Sequence, residues 1–188
     1  MSENTQQART VTSADHGKLD VRALVLLAVL LAAGFILNFT VGKAISGATG
    51  GLISPEFIIS AFCLTILVVR PNIAQALVIG LISAAVIQIT TTSPFIDFAA
   101  EGVAAMLMAA IVNGMMGGKA AKVVPLVGTF VTTVVSGLIF MVIKIAMIGA
   151  AQQLAAAMLP VVVLTAVFNA ILVQALYLPI RKALKLND

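Results

Sequence analysis

The chain has 188 residues, of which 61% are hydrophobic and only 10% charged, with a formal net charge of +4. A soluble domain is nearer half apolar and a quarter charged, so the composition excludes an ordinary soluble globular protein. Long apolar runs follow one another without in–out alternation, which points to a polytopic helical membrane protein and away from a membrane β-barrel.

In chain order, residues 1–20 are a polar tail, expected to be cytoplasmic. The apolar run behind it is too long for the core of a cleavable signal. Span 1 is predicted from Val21 to Val41. It leads into a glycine-rich stretch, Gly42 to Glu56, which reads as a loop able to fold back over a bundle, because its glycines accept backbone shapes closed to other residues. Span 2, Glu56 to Val69, is short for crossing ~30 Å of hydrocarbon and stops at Arg70-Pro71-Asn72. Span 3 runs from Ile73 to Ile89. A polar stretch, "TTTSPFIDFAAEG", follows, and span 4 begins between Ile96 and Glu101 and ends at Met116. Span 5 covers Val123 to Ala150 and span 6 Leu154 to Ile180, with Pro160 and Pro179 expected near the ends of the latter. A basic tail, residues 181–188, closes the chain. The expected fold is all-α, with six transmembrane helices in residues 21–180.

The basic residues orient these spans. With the N-terminus inside, Arg9, Lys18, Arg22, Arg70, Lys119, Lys122, Arg181, Lys182 and Lys185 fall on the inner side. Only Lys43 and Lys144 fall outside. That asymmetry predicts a multi-pass protein of the cell membrane with both termini cytoplasmic. It also accounts for the basic excess without nucleic acid. The acids Glu56, Asp97 and Glu101 lie near the outer ends of spans, where charge beside hydrocarbon is expensive and tends to be paired or functional.

Catalysis finds little support. His16 is the only histidine and sits in the polar tail. No HExxH, GxSxG or cysteine cluster occurs, and no GxxxxGK[ST] phosphate loop, so neither a metal site, a bound cofactor nor a nucleotidase is expected. Cys63, alone in an apolar run, reads as a buried structural thiol. The two halves lack the matched broken helices of many secondary carriers.

The outer stretches offer a binding site instead. An apolar pocket with a few directed polar groups is the usual form of a small-molecule site. Lys43, Glu56, Thr91, Phe95, Asp97 and Glu101 would meet on the outer side, with Asn169 approaching from span 6. Two ordinary connecting loops remain the plainer alternative. In span 1, Ala28 and Ala32 stand one helical turn apart and permit close approach by another helix, either within the chain or in a partner.

Taken jointly, the Ala28/Ala32 pair, the glycine-bearing first outer stretch, the short second span ending in "RPN" and the polar third outer stretch resemble the substrate-binding components of energy-coupling factor (ECF) transporters. Within that group the chain looks most like the tryptophan-transporter type. The similar stretches are "PEFIISAFCLTILVVRPNIAQALVIGLISAAVIQITTTSPF" and "FNAILVQALYLPI", with Pro71, Thr91-Thr92, Asn169 and Tyr177 matching. Leu178 intervenes before Pro179, and the third outer stretch is shorter and carries Glu101. The resemblance implies a six-helix bacterial membrane protein that captures an amino acid such as tryptophan, or a vitamin-like molecule, from outside. It further implies docking on a membrane scaffold protein and two cytoplasmic ATPases that use the ATP, with Ala28 and Ala32 on the docking face. A stand-alone secondary carrier or channel is the alternative class, and a structural membrane subunit without ligand a third.

Overall fold

A computed structural model describes residues 19–91, 93–118, 120–149 and 151–184. The remaining positions include Arg9, His16, Lys18, Thr92, Lys119 and Lys185, so what the sequence suggests for them lies outside the described residues.

Every regular element among the described residues is a helix. Asp20 caps the first, its carboxylate accepting from the Ala23 N–H at 2.8 Å. Helix α1 (Val21–Leu37) then widens into a π-helical turn, Asn38–Gly42, and continues as α2 (Lys43–Ala48). This corrects the expected loop over Gly42–Glu56. The helix holds to Ala48, and only the segment after it turns back, through Gly50 and Gly51 with φ +61° and +84°. Gly42 is buried with an ordinary helical backbone (φ −60°), and a Cβ there would make only normal contacts with the Pro55 carbonyl oxygen at 3.5 Å and the Phe57 ring at 3.6 Å, so neither a turn nor close packing requires glycine at this position.

Helix α3 (Phe57–Val69) is the centre of the molecule, with twelve of its thirteen residues buried. A helix apolar on every face belongs in a core. At ~1.5 Å per residue it is about 20 Å long, less than a bilayer's hydrocarbon. It ends where Arg70 takes a left-handed conformation (φ 52°). Pro71 cannot extend it, and Asn72 opens α4 (Ile73–Ile87) with a reciprocal capping box to Gln75. Helix α5 (Ile96–Met115), α6 (Val124–Ile148) and α7 (Ala151–Ala183) complete the bundle. Helices α4 and α5 pack as one pair and α6 and α7 as another, while α1 lies along α3.

Both prolines expected near the ends of the last span lie inside α7. Each removes one backbone donor, which a helix among other apolar helices tolerates. Pro160 and Pro179 are exposed, so their rings meet no tightly packed neighbour.

Among the described residues, four helical segments are long and apolar enough to cross a membrane: Val21–Ala48, Ile96–Met115, Val124–Ile148 and Gln152–Ala183. Helices α3 and α4 are shorter apolar helices. Large apolar side chains such as Val25, Val29, Ile36, Val163, Val167 and Ile171 point outward on α1 and α7. Water would not tolerate so continuous an apolar surface, whereas lipid does.

Hydrogen bonds gather the turns at one end of the bundle. Asn113 near the end of α5 donates to the Pro71 carbonyl at 3.0 Å, and Gln174 of α7 donates to the Lys122 carbonyl at 3.3 Å. Arg70, Lys122, Arg181 and Lys182 belong to this end, and the guanidinium of Arg181 lies over the Tyr177 ring. Lys43, Glu56 and Asp97 belong to the other.

Candidate functional site

That other end contains a cavity of about 380 Å³. All seven α-helices and the π-helical turn contribute to its wall. The π-helical turn matters first, because it sets Asn38 against the start of α3. The Asn38 carbonyl oxygen accepts from the Phe57 N–H at 2.9 Å, and its amide donates to Glu56 Oε2 at 3.4 Å. One side chain thus satisfies an orphan donor at the helix start and holds the carboxylate of Glu56 at the cavity edge. The segment before α3 is fastened from the opposite side by Thr165 of α7. Its hydroxyl donates to the Ser54 carbonyl at 3.0 Å and accepts from the Ser54 N–H at 3.3 Å.

The inner part of the cavity comes from α5 and α6. Glu101 is 4% exposed, and its Oε1 accepts from the Ser136 hydroxyl at 3.2 Å. Among the described residues, Glu101 Oε2 has no hydrogen-bond partner, and neither has the hydroxyl of Thr133, one turn before Ser136. The position of Glu101 depends on Gly80 of α4, since a Cβ there would stand 2.5 Å from the Glu101 carbonyl oxygen. Asp97, one turn earlier on α5, accepts on Oδ2 from Gln88 Nε2 at 3.2 Å, and Gln88 Oε1 accepts from the Phe95 N–H. Gln88 thereby ties the end of α4 to the start of α5. Apolar wall comes from Phe35, Phe39, Phe140, Ile87, Met158 and Val161.

The sequence-predicted residues divide clearly. Lys43, Glu56, Thr91, Asp97 and Glu101 line the cavity. Phe95 does not: it is 76% exposed, in a left-handed conformation (φ 70°) just before α5, and points away. Asn169 is fully buried beside the cavity and not in its lining, where its amide donates to the Glu56 carbonyl at 3.2 Å and supports the wall from behind. Ala28 and Ala32 lie far along α1 on an exposed face. The face of α1 used inside the chain is instead Ala23, Leu27, Leu31 and Gly34. At Gly34 a Cβ would come within 2.9 Å of the Phe57 carbonyl oxygen.

Sequence reasoning missed Asn38, Gln88, Thr133, Ser136, Phe140 and Thr165 as site residues. Asn38 carried a signal, being a lone amide at the end of an apolar span. Ser136 and Thr133 carried a weaker one, because hydroxyls within an apolar helix commonly bond only their own backbone.

Chemically, the arrangement is a partly open, partly aromatic chamber lined by three acids, with one lysine, Lys43, exposed at its rim. It can enclose a small organic molecule and orient it by its polar atoms. Among the described residues no group of three or more His, Cys, Asp or Glu could hold a metal ion. Comparison with family models, curated proteins and solved structures yields no match.

Proposed function

We propose that this chain is the substrate-capture subunit of an ECF-type importer in a bacterial cell membrane. It crosses the membrane six times with both termini in the cytoplasm. It takes a small molecule, of amino-acid or vitamin-like size, from outside. It then docks through the Ala28/Ala32 face of α1 on a scaffold protein served by two cytoplasmic ATPases. The observation that carries this reading is the cavity at the bundle end opposite Arg70, Lys122, Arg181 and Lys182. If basic turns stay inside, the cavity opens outward. The exposed small-residue stripe on α1 supports the docking part, since it is left over after internal packing. Nothing in the sequence supplies an ATP-binding loop, so energy must come from a partner.

Affinity capture of the tagged chain from its native membranes tests this. We expect one membrane scaffold protein and ATPase subunits to co-purify, and uptake by the reconstituted complex to require ATP. Uptake by the chain alone in liposomes would overturn the reading in favour of a secondary carrier. The carrier reading has an observation of its own, the Glu101 carboxyl buried within α5, because ionisable groups at such depth often serve ion or proton coupling.

Topology is tested separately. Protease-sensitive tags at either terminus are expected to be cleaved only from the cytoplasmic side. A terminus cleaved from outside would exclude the six-span arrangement.

A further inference from the structure

Between Asp20 and Asp188 the sequence holds only three acids, Glu56, Asp97 and Glu101. All three line the same cavity, although one precedes α3 and two lie on α5. A chain that keeps acids out of its whole apolar body except at one chamber has concentrated its acidic groups there. The lining includes one basic residue, Lys43, and that is exposed at the rim. The Lys144 ammonium lies outside the lining, 5.3 Å from the centre of the Phe140 ring, and is near enough to act electrostatically on Asp97.

The acids do not have equal needs. Glu56 already receives the Asn38 amide and Asp97 the Gln88 amide. Glu101 receives Ser136 on one oxygen only, and its Oε2 is buried without a donor. The Thr133 hydroxyl, 2% exposed and also in the lining, is equally without a partner. Buried polar atoms are nearly always hydrogen-bonded, so two unpartnered atoms in one cavity wall mark where a ligand's polar group belongs. A carboxylate oxygen asks for N–H or O–H donors, and preferably charged ones. The three acids do not converge closely enough to hold a metal ion. The aromatic wall asks for an organic body.

We propose that the cavity binds an organic cation. Its ammonium or amidinium N–H groups meet Glu101 Oε2 and the Thr133 hydroxyl, and its apolar body packs among Phe35, Phe39 and Phe140. The proposal deepens the capture-subunit reading and rests on it for treating the cavity as the ligand site. A zwitterionic amino acid fits less well, since its carboxylate would enter beside three acids, with Lys43 at the rim and Lys144 outside the lining as the neighbouring cations. An anion fits worst.

Four probes with one aromatic body separate these cases: 2-phenylethylamine, phenylalanine, 3-phenylpropionate and 2-phenylethanol. Titration calorimetry on the full chain in nanodiscs is expected to show the amine binding tightest. Glu101→Gln is expected to weaken the amine roughly 10- to 150-fold, the loss of one charge-assisted hydrogen bond. The amide keeps an acceptor for Ser136. Should that variant not fold, Thr133→Val is expected to weaken the amine roughly 2- to 10-fold. No binding of the amine, equal or tighter binding of any other probe, or unchanged amine affinity in Glu101→Gln or Thr133→Val would overturn the proposal. Those results leave the importer reading standing with a different ligand. Amine binding by a chain that captures no scaffold or ATPase would do the reverse.

Discussion

Gly80→Ala is expected to remove most of the folded protein from the membrane. The substitution adds one methyl group, yet that methyl has nowhere to go. Its Cβ would stand 2.5 Å from the Glu101 carbonyl oxygen, 3.0 Å from the carbonyl carbon and 2.8 Å from the Ala105 Cβ. None of these atoms sits on a side chain that can rotate away. Helices α4 and α5 must therefore separate along their contact. Overpacking a well-filled core typically costs about 1–3 kcal/mol, and a backbone-to-backbone clash belongs at the upper end of that range. Moving α5 also displaces Glu101, so ligand affinity should fall in whatever protein survives. Gly114→Ala is the control: it lies on α5, the helix that Gly80 packs against, a Cβ there meets nothing within 4 Å, and replacing a helical glycine by alanine is expected to be neutral or stabilising. Melting temperature and monodispersity in detergent give the measurement. A Gly80→Ala protein melting within two degrees of the parent, as judged against ~2–4 °C per kcal/mol for a chain of this size, would refute the close α4–α5 approach.

Ala28→Trp and Ala32→Trp are expected to separate transport from binding. Both alanines are exposed and lie one turn apart on α1, on a face that the fold leaves unused. An indole there meets no neighbour inside the chain, so the cavity and its ligand affinity should change less than twofold by the criterion for surface substitutions. Against a closely apposed partner helix the same indole is overpacking, and we expect complex formation and ATP-dependent uptake to fall by roughly tenfold or more. Val29→Trp, about 100° further round the helix, is the control for added bulk that misses the stripe. Equal losses of binding and uptake in the alanine variants would point to internal packing, and full uptake in both would remove the docking face from α1.

Much of this protein was decided before tertiary structure entered. The apolar runs determine that it is all-helical, because a backbone surrounded by hydrocarbon must satisfy its own hydrogen bonds. The stop at Arg70-Pro71-Asn72 is written locally, in a proline that cannot continue α3 and an asparagine able to cap α4. The segregation of charge is likewise visible in the chain, with basic residues near one set of turns and three acids near the other. Helix ends were less legible. Glycines around Gly42 suggested a loop where the helix continues to Ala48, and the prolines of α7 suggested ends where the helix runs on.

What only the tertiary structure decided is the rotation of each helix about its axis. In a soluble protein the polar face of a helix faces water and so reveals the buried one. Here the outside and the core are both apolar, and that contrast vanishes. The chain therefore did not disclose that Ala23, Leu27, Leu31 and Gly34 face inward on α1 while Ala28 and Ala32 face out. Nor did it disclose that Phe95 turns away, that Asn169 braces the wall from behind, or that Ser136 bonds Glu101 while Thr133 lines the same cavity. Those choices were made by close approach, at Gly34 against Phe57 and at Gly80 against Glu101, where the absence of a single Cβ sets which faces can meet.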